Sequence, residues 1–330
     1  MNIRPDPETL VATHVVWYPV TLDHIEVLGP DALDFLHRMS TADLLRLTPG
    51  EVQATVFTTE KGRIKAVAYV VCYQRERLGL ICAQSYGVTL YRWLRQFLVL
   101  EEVRLSQPTQ CQSVEVHGVS ASAVLAQLGI EPLTDASSWG TGALRVWQGE
   151  EMVCLRVPPF GRAAYGIVAS DTMASALSRA LEDILGPPLS GVEQEALRIL
   201  AGIGRHGTEW TEDYNPLEAG LNELISFSKG CYVGQEVIAR IDTYGKLQRQ
   251  LICFQSLDPL VAPAPVMVKE QQVGVLTSSV AVPWRQLWAG LGYVRREWSQ
   301  ERAFWVGNNE NTVIAKLKCQ QPSSQEEHSD

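Results

Sequence analysis

Apolar residues recur along this chain in two rhythms: a period of two that marks strands, and one near 3.6 that marks amphipathic helices. Residues 24–28 read as a strand. Gly29-Pro30 follows, then a helix over 31–39, supported by Pro30 near its start and the i, i+3 spacing of Leu33 and Leu36. β-branched and aromatic runs at 52–59 and 64–73 flank Glu60-Lys61-Gly62-Arg63, the pattern of a hairpin. A strand over 78–83 precedes an apolar-rich helix over 88–98. A second round follows, with a strand over 114–117, a helix over 120–128, strands near Leu144 and Val153, and a helix over 171–185. Gly186-Pro187-Pro188 breaks the pattern. A helix is expected over 192–203, then a polar, aromatic loop over 205–216.

Beyond Gly245 the texture changes. Residues 247–255, 266–269, 272–282, 287–295, 303–306 and 313–317 read as strands separated by Pro, Gly and Asn, spacing that suits a small antiparallel barrel or sandwich. The expected class is therefore α+β. Residues 1–22 form a lead-in, 23–245 an α+β part in two halves, 246–318 the terminal barrel, and 319–330 a polar tail expected to be disordered.

Composition narrows the function classes. The 330 residues are 46% hydrophobic and 20% charged, as in an ordinary folded protein. A formal net charge of −9 argues against direct nucleic-acid binding. No segment reaches the ~18 apolar residues of a membrane span, and the polar, proline-containing start lacks a signal-peptide apolar stretch, so the expected compartment is the cytoplasm. The seven cysteines include no C-x-x-C pair, and Cys72, Cys82, Cys154 and Cys253 sit in apolar, strand-like runs that suit packing. A disulfide framework, a zinc site or a cluster held by this chain alone is not expected. Only His206 lies near other suggestive residues, and no histidine pair has helical metal-ligand spacing.

The segment of densest chemistry is K-G-C-Y-V-G-Q-E, Lys229 to Glu236. Val233, Val237, Ile238 and Ile241 recur as one face of a helix, which would set Cys231 at or just before the first turn. Unpaired amides and the helix dipole favour an anion there, and Lys229 adds positive charge. Both favour a reactive thiolate at Cys231. The competing reading is a small buried cysteine between turn glycines, Gly230 and Gly234.

The run over 224–240, L-I-S-F-S-K-G-C-Y-V-G-Q-E-V-I-A-R, is similar to the signature of the YgfZ-type folate-binding proteins. Asn215-Pro216-Leu217-Glu218 resembles the segment that precedes it there. L-G-P-D-A-L-D-F-L-H (28–37), D-L-L-R-L-T-P-G (43–50) and K-G-R-I (61–64) fit the family's N-terminal part. G-V-L-T-S-S (274–279) and A-G-L-G-Y-V-R-R (289–296) fit its terminal barrel. The resemblance implies a T-protein-like cloverleaf of two ferredoxin-like halves and a small antiparallel β-barrel. It also implies a tetrahydrofolate-type cofactor and a role in assembly or repair of iron–sulfur proteins, tRNA-modifying ones included. Cys231 would then act as a transient iron ligand or redox thiol, with Lys229 beside it and Tyr232 packing or hydrogen-bonding at the cavity.

The implied folate-side residues are Lys61, Gly62, Arg63, Glu218, Gly230, Tyr232, Gly234, Gln235, Glu236 and Arg240. Lys61 and Arg63 suit folate's glutamate tail, though a surface hairpin tip is the commoner reading of such a triplet. Glu236 and Arg240 also read as an i, i+4 pair on a solvated face. Trp210, Trp284 and Trp288 lie where they could wall a cavity. The wider superfamily includes the aminomethyltransferase of the glycine cleavage system. Here Lys65 and Ala66 replace its paired aspartates and Leu200 its glutamate, so aminomethyl transfer is not expected. Three classes stay open: a cluster-assembly factor, a folate-dependent transferase with altered chemistry, and a folate-binding regulatory module.

Overall fold

The computed structural model describes residues 6–133, 139–161, 163–307 and 313–317. It opens on α1 (Pro7–Thr13), where the Asp6 side chain accepts the Thr9 amide at the N-cap and Pro7 occupies the first turn. A β-α-β-β-β-α unit follows: β1 (Val16–Leu28), α2 (Ala32–Met39), β2 (Glu51–Thr58), β3 (Ile64–Gln74), β4 (Arg77–Ala83) and α3 (Gly87–Arg95). After the short β5 (Arg104–Leu105) the same order returns. It runs β6 (Thr109–His117), α4 (Ala121–Gln127), β7 (Thr141–Trp147), β8 (Glu150–Arg156), β9 (Ala164–Ala169) and α5 (Asp171–Leu185).

In each unit the first strand lies beside the last, giving the orders β2-β3-β4-β1 and β7-β8-β9-β6. Pairings β1–β6 and β2–β7 join the units, so eight strands close into one antiparallel ring. The length of β1 makes this feasible: Val16 to His24 pair with β6, while Leu22 to Leu28 pair with β4. Ring strands are covered on both faces, and this explains their nearly continuous apolar sequences. In β3, Ala66, Ala68, Val70 and Cys72 pack outward with α2 and α3, whereas Tyr69 and Val71 join Val52, Ile81 and Leu155 in a second core. The helices α4 and α5 cover the other unit in the same way.

The chain then enters α6 (Gly191–Leu200), opened by a capping box of Ser190 and Glu193. A long irregular stretch leads to α7 (Gln235–Tyr244). The strands β10 (Arg249–Ser256), β11 (Ala264–Val268), β12 (Gln271–Val282), β13 (Leu287–Arg295), β14 (Ala303–Val306) and β15 (Val313–Leu317) form a closed barrel in the order β10-β13-β12-β11-β14-β15. Ala196 and Ile199 of α6 pack on Val282, Ala289 and Leu291 of that barrel.

The architecture of two α+β halves and a terminal antiparallel barrel is as expected, with the halves sharing one ring of strands. Three details differ. The residues read as a lead-in hold a helix and much of β1, which begins at Val16. Strand β9 was not foreseen, and α7 starts at Gln235, later than the Cys231 reading requires. The tail expected to be disordered, with Cys319, lies outside the described residues. Among the described residues no helix is long and apolar enough to cross a membrane.

Candidate functional site

A cleft of about 470 Å³ opens where the ring, the stretch after α6 and the barrel meet. Trp139, Pro158, Pro159 and Trp210 give it flat apolar walls, and Glu218, Asn222, Glu223, Gln250 and Arg296 supply polar groups. Trp210 is held from behind by a buried charge network. Arg198 of α6 donates to Glu195 at 2.8 and 2.9 Å, to Glu209 at 3.1 Å and to Ser278 at 3.0 Å. Glu209 is fully buried and also accepts Thr277 and Ser278 hydroxyls at 2.6 Å. The barrel's Tyr293 hydroxyl donates to the Glu209 carbonyl at 2.8 Å. The loop that carries Trp210 is thus pinned between α6 and the barrel.

His206 packs against Tyr86 with centroids 4.3 Å apart and rings tilted by 37°, and meets Trp210 edge-on at 5.4 Å. Burial pushes its imidazole down to about 4, so it is neutral at neutral pH. Trp210 Nε1 is buried without a hydrogen-bond partner. It lies against Gly204, where a Cβ would stand 2.3 Å from it. Burial raises the Glu223 carboxyl above its ordinary range.

Glu218 is the implied folate-side residue that lines this cleft. It is 2% exposed and accepts the Asn215 amide at 3.1 Å and Arg63 Nη1 at 3.4 Å. Arg63 also donates to the Asp213 carbonyl, so this cation is tied to the protein and not offered to a ligand tail. Lys61 is exposed at the hairpin tip and lines no part of the cleft; the cation at the cleft rim is Arg296. The replaced carboxylate positions point elsewhere: Lys65 pairs with Glu212 at 2.6 Å, Ala66 lies beneath α2 and α3, and Leu200 packs toward the barrel. Of the tryptophans singled out, Trp210 is a wall. Trp288 packs in the barrel core and Trp284 between barrel and α6, because their apolar neighbours lie there.

The Cys231 segment sits apart from the cleft. Its flanks are stitched to the end of α2 and to the β2–β3 hairpin. The Thr41 hydroxyl donates to the Leu224 carbonyl, the Ser226 amide to Thr41 O, and the Val233 amide to Arg38 O. The Thr58 hydroxyl donates to Val233 O at 2.6 Å. Gly234 caps α7 at φ +83°, and a Cβ there would lie 2.5 Å from the Thr59 carbonyl oxygen, so only glycine fits. Gly62 at the tip abuts Val237 and Ile238 of α7. Hairpin tip and α7 are therefore one packed unit, which the sequence reading joined only by resemblance.

Within this unit Cys231 is exposed, and so are Gly230, Glu236 and Arg240; Gln235 is half-buried and Tyr232 buried. Burial pushes the Tyr232 phenol up to about 12. Three expectations need correction. Cys231 precedes the Gly234 N-cap by three residues, so it lies outside the first turn of α7. The Lys229 ammonium is buried on the carbonyls of His37, Ser40 and Ala42 at 2.5, 2.7 and 2.7 Å, turned toward α2. Burial pushes it down to about 8, with Asp43 pulling the other way. Glu236 and Arg240 are spaced for an ion pair but form none among the described residues. The cysteines placed in strands, Cys72, Cys82, Cys154 and Cys253, are buried, and no group of three or more metal-ligating side chains occurs among the described residues.

The family model of the GCVT N-terminal domain matches residues 11–229. The chain belongs to this family. For this GCVT-family chain the match takes in the ring, α6 and the cleft loop, and it ends two residues before Cys231. A chloroplastic protein of Arabidopsis thaliana under a provisional transferase name is 26% identical over 283 residues, 84% of this chain; the chain covers 65% of that relative. An aminomethyltransferase of Bacteroides thetaiotaomicron is 25% identical over 288 residues, covering 83% of this chain and 78% of the relative. The crystal structure of the glycine cleavage system aminomethyltransferase T from Bartonella henselae superposes with a TM-score of 0.78. Its identity is 19%, over 94% of this chain and 86% of that one, so the fold is shared.

Trp139, Pro158, Pro159, Gln250 and Arg296 were missed by sequence reasoning. They come from four separate places along the chain, and the one visible signal, the Pro-Pro pair between β8 and β9, reads as an ordinary turn.

Proposed function

We propose that this GCVT-family protein binds a tetrahydrofolate-type ligand in the cleft and acts as an accessory factor for iron–sulfur proteins through Cys231. The observation that carries the reading is the pairing of a well-formed cleft with the loss of acid–base groups. Lys65 and Leu200 stand where the aminomethyltransferases would carry carboxylates, and both side chains turn away from the cleft. The carboxyls that do line the cleft, Glu218 and Glu223, come from the stretch after α6 and not from those positions, and Glu218 is already committed to Arg63 and the Asn215 amide. The indole walls Trp139 and Trp210 suit a flat heteroaromatic ring, Glu218 suits its polar edge, and Arg296 suits a carboxylate at the rim. A bound folate would supply a one-carbon unit there. Cys231, exposed and outside the cleft, is reachable by a protein client without displacing that ligand. An exposed thiol can exchange with a disulfide or ligate iron transiently.

The rival reading, a folate-dependent one-carbon transferase, is favoured by the names of the relatives. One set of measurements separates the two. Titration with tetrahydrofolate and 5-formyltetrahydrofolate, followed by tryptophan fluorescence, should saturate, and Trp210→Phe should weaken binding by roughly tenfold. Cys231→Ala and Cys231→Ser should bind folate normally and fail to restore a cluster-dependent enzyme in a deletion background. Aminomethyl transfer by the purified protein would sink the accessory reading, as would full restoration by both variants.

A further inference from the structure

We propose that Lys229 is the positioning residue of the Cys231 thiol. Its ammonium, seated on the carbonyls that end α2, holds the exposed stretch around Cys231 as a fixed arch. The inference rests on the reading that Cys231 is the working group, but the geometry stands without it. An α-helix leaves its last carbonyls without partners and carries partial negative charge at that end. A lysine ammonium has three donors and no acceptor. Here the two meet one for one: His37 O belongs to the last turn of α2, Ser40 O to its C-cap, and Ala42 O to the turn that follows.

The anchoring matters because of where the other ties stand. Main-chain bonds fasten the segment at Ser226 and again at Val233. Between them Phe227, Ser228, Gly230 and Cys231 are all exposed, and the inward-turned side chains are Lys229 and Tyr232. Tyr232 packs with Ile225 and Ile238, and the Lys229 ammonium lies 5.2 Å from its ring centroid. The lysine is thus the polar post of the arch and the tyrosine its apolar one. Take the ammonium away and the buried His37 and Ser40 carbonyls lose a charged donor, Ala42 O keeps only the Leu44 amide at 3.1 Å, and the chain on either side of Cys231 loses its hold on α2.

The test reads the thiol's order directly. Attach a nitroxide to Cys231 in a background with Cys111 and Cys319 replaced by serine, the remaining cysteines being buried. Record its mobility, and record hydrogen exchange over 227–233 in the unlabelled protein. Lys229→Met, which keeps an unbranched chain one atom shorter but none of the donors, should mobilise the label and speed exchange in the arch roughly tenfold, with ring and barrel unchanged. Lys229→Gln, with two donors, should fall between and serves if the methionine variant does not fold. In Lys229→Ala, added methylammonium should restore order and tetramethylammonium should not, since only the former has N–H groups. An unchanged label in both the methionine and glutamine variants overturns the proposal, as does equal rescue by the two cations. Cys231→Ser leaves the clamp in place. Were it and Cys231→Ala both to restore the cluster-dependent enzyme fully, the accessory reading would fall while the positioning result stood.

Discussion

Two glycines, one three residues after Cys231 at the cap of α7 and one at the facing hairpin tip, show how differently similar residues are constrained. Gly234 and Gly62 both have positive φ, +83° and +65°. An alanine at Gly62 would press on Val237 Cβ at 3.1 Å, a gap that a few tenths of an ångström would relieve, but at Gly234 it would strike the Thr59 main-chain oxygen at 2.5 Å. Gly62→Ala should therefore cost about 1 kcal/mol and Gly234→Ala about 3 kcal/mol, compared by urea midpoints at constant m. The exposure of Cys231 was legible from its glycine and polar neighbours. The use made of Lys229 was not, because its partner carbonyls lie some 190 positions upstream and main-chain acceptors leave no trace in residue types.

Elements announced themselves where their ends carried strong local chemistry. Helix α5 was read at its observed bounds, and its Ser170 cap accepts the Met173 amide. The first half of β1 escaped because Pro19 interrupts an otherwise β-prone run, and proline ordinarily argues against a strand interior. It sits there opposite Val114. The cleft is illegible for another reason: its walls come from the second unit, the loop after α6 and the barrel. One element junction is open to a sharp test. Glu209 neutralises Arg198 and receives two hydroxyls from β12, so Glu209→Ala leaves a buried guanidinium half-paired. A loss of about 3 kcal/mol is expected by chemical denaturation. Glu209→Gln, which keeps the acceptor oxygen, should lose less. Folate titration of the glutamine variant would show whether the Trp210 wall moves with it.

For the molecule as a whole, buried histidines set the acid limit. The His206 imidazole titrates near 6.5 when unfolded and near 4 in the fold. Between those values the unfolded chain takes up the extra proton, so stability falls as pH drops from about 6.5 and the loss is complete below about 4. The full effect is about 3 kcal/mol at most. His24 and His37 are lowered by burial too and act in the same direction. Melting temperatures from pH 7 to 4 should decline, and His206→Gln should flatten the decline without abolishing it. An unaltered slope would rule out His206 as a principal contributor.

The ring has a consequence of its own. Each β-α-β-β-β-α unit ends in two seams, β1 against β6 and β2 against β7, which only the other unit fills. A polypeptide severed at 106–108, between the units, would yield two pieces with complementary open borders. Produced together they should reassemble. Produced singly, either half would be left seeking a substitute mate, and with its own twin close by, the obvious substitute is another copy of itself.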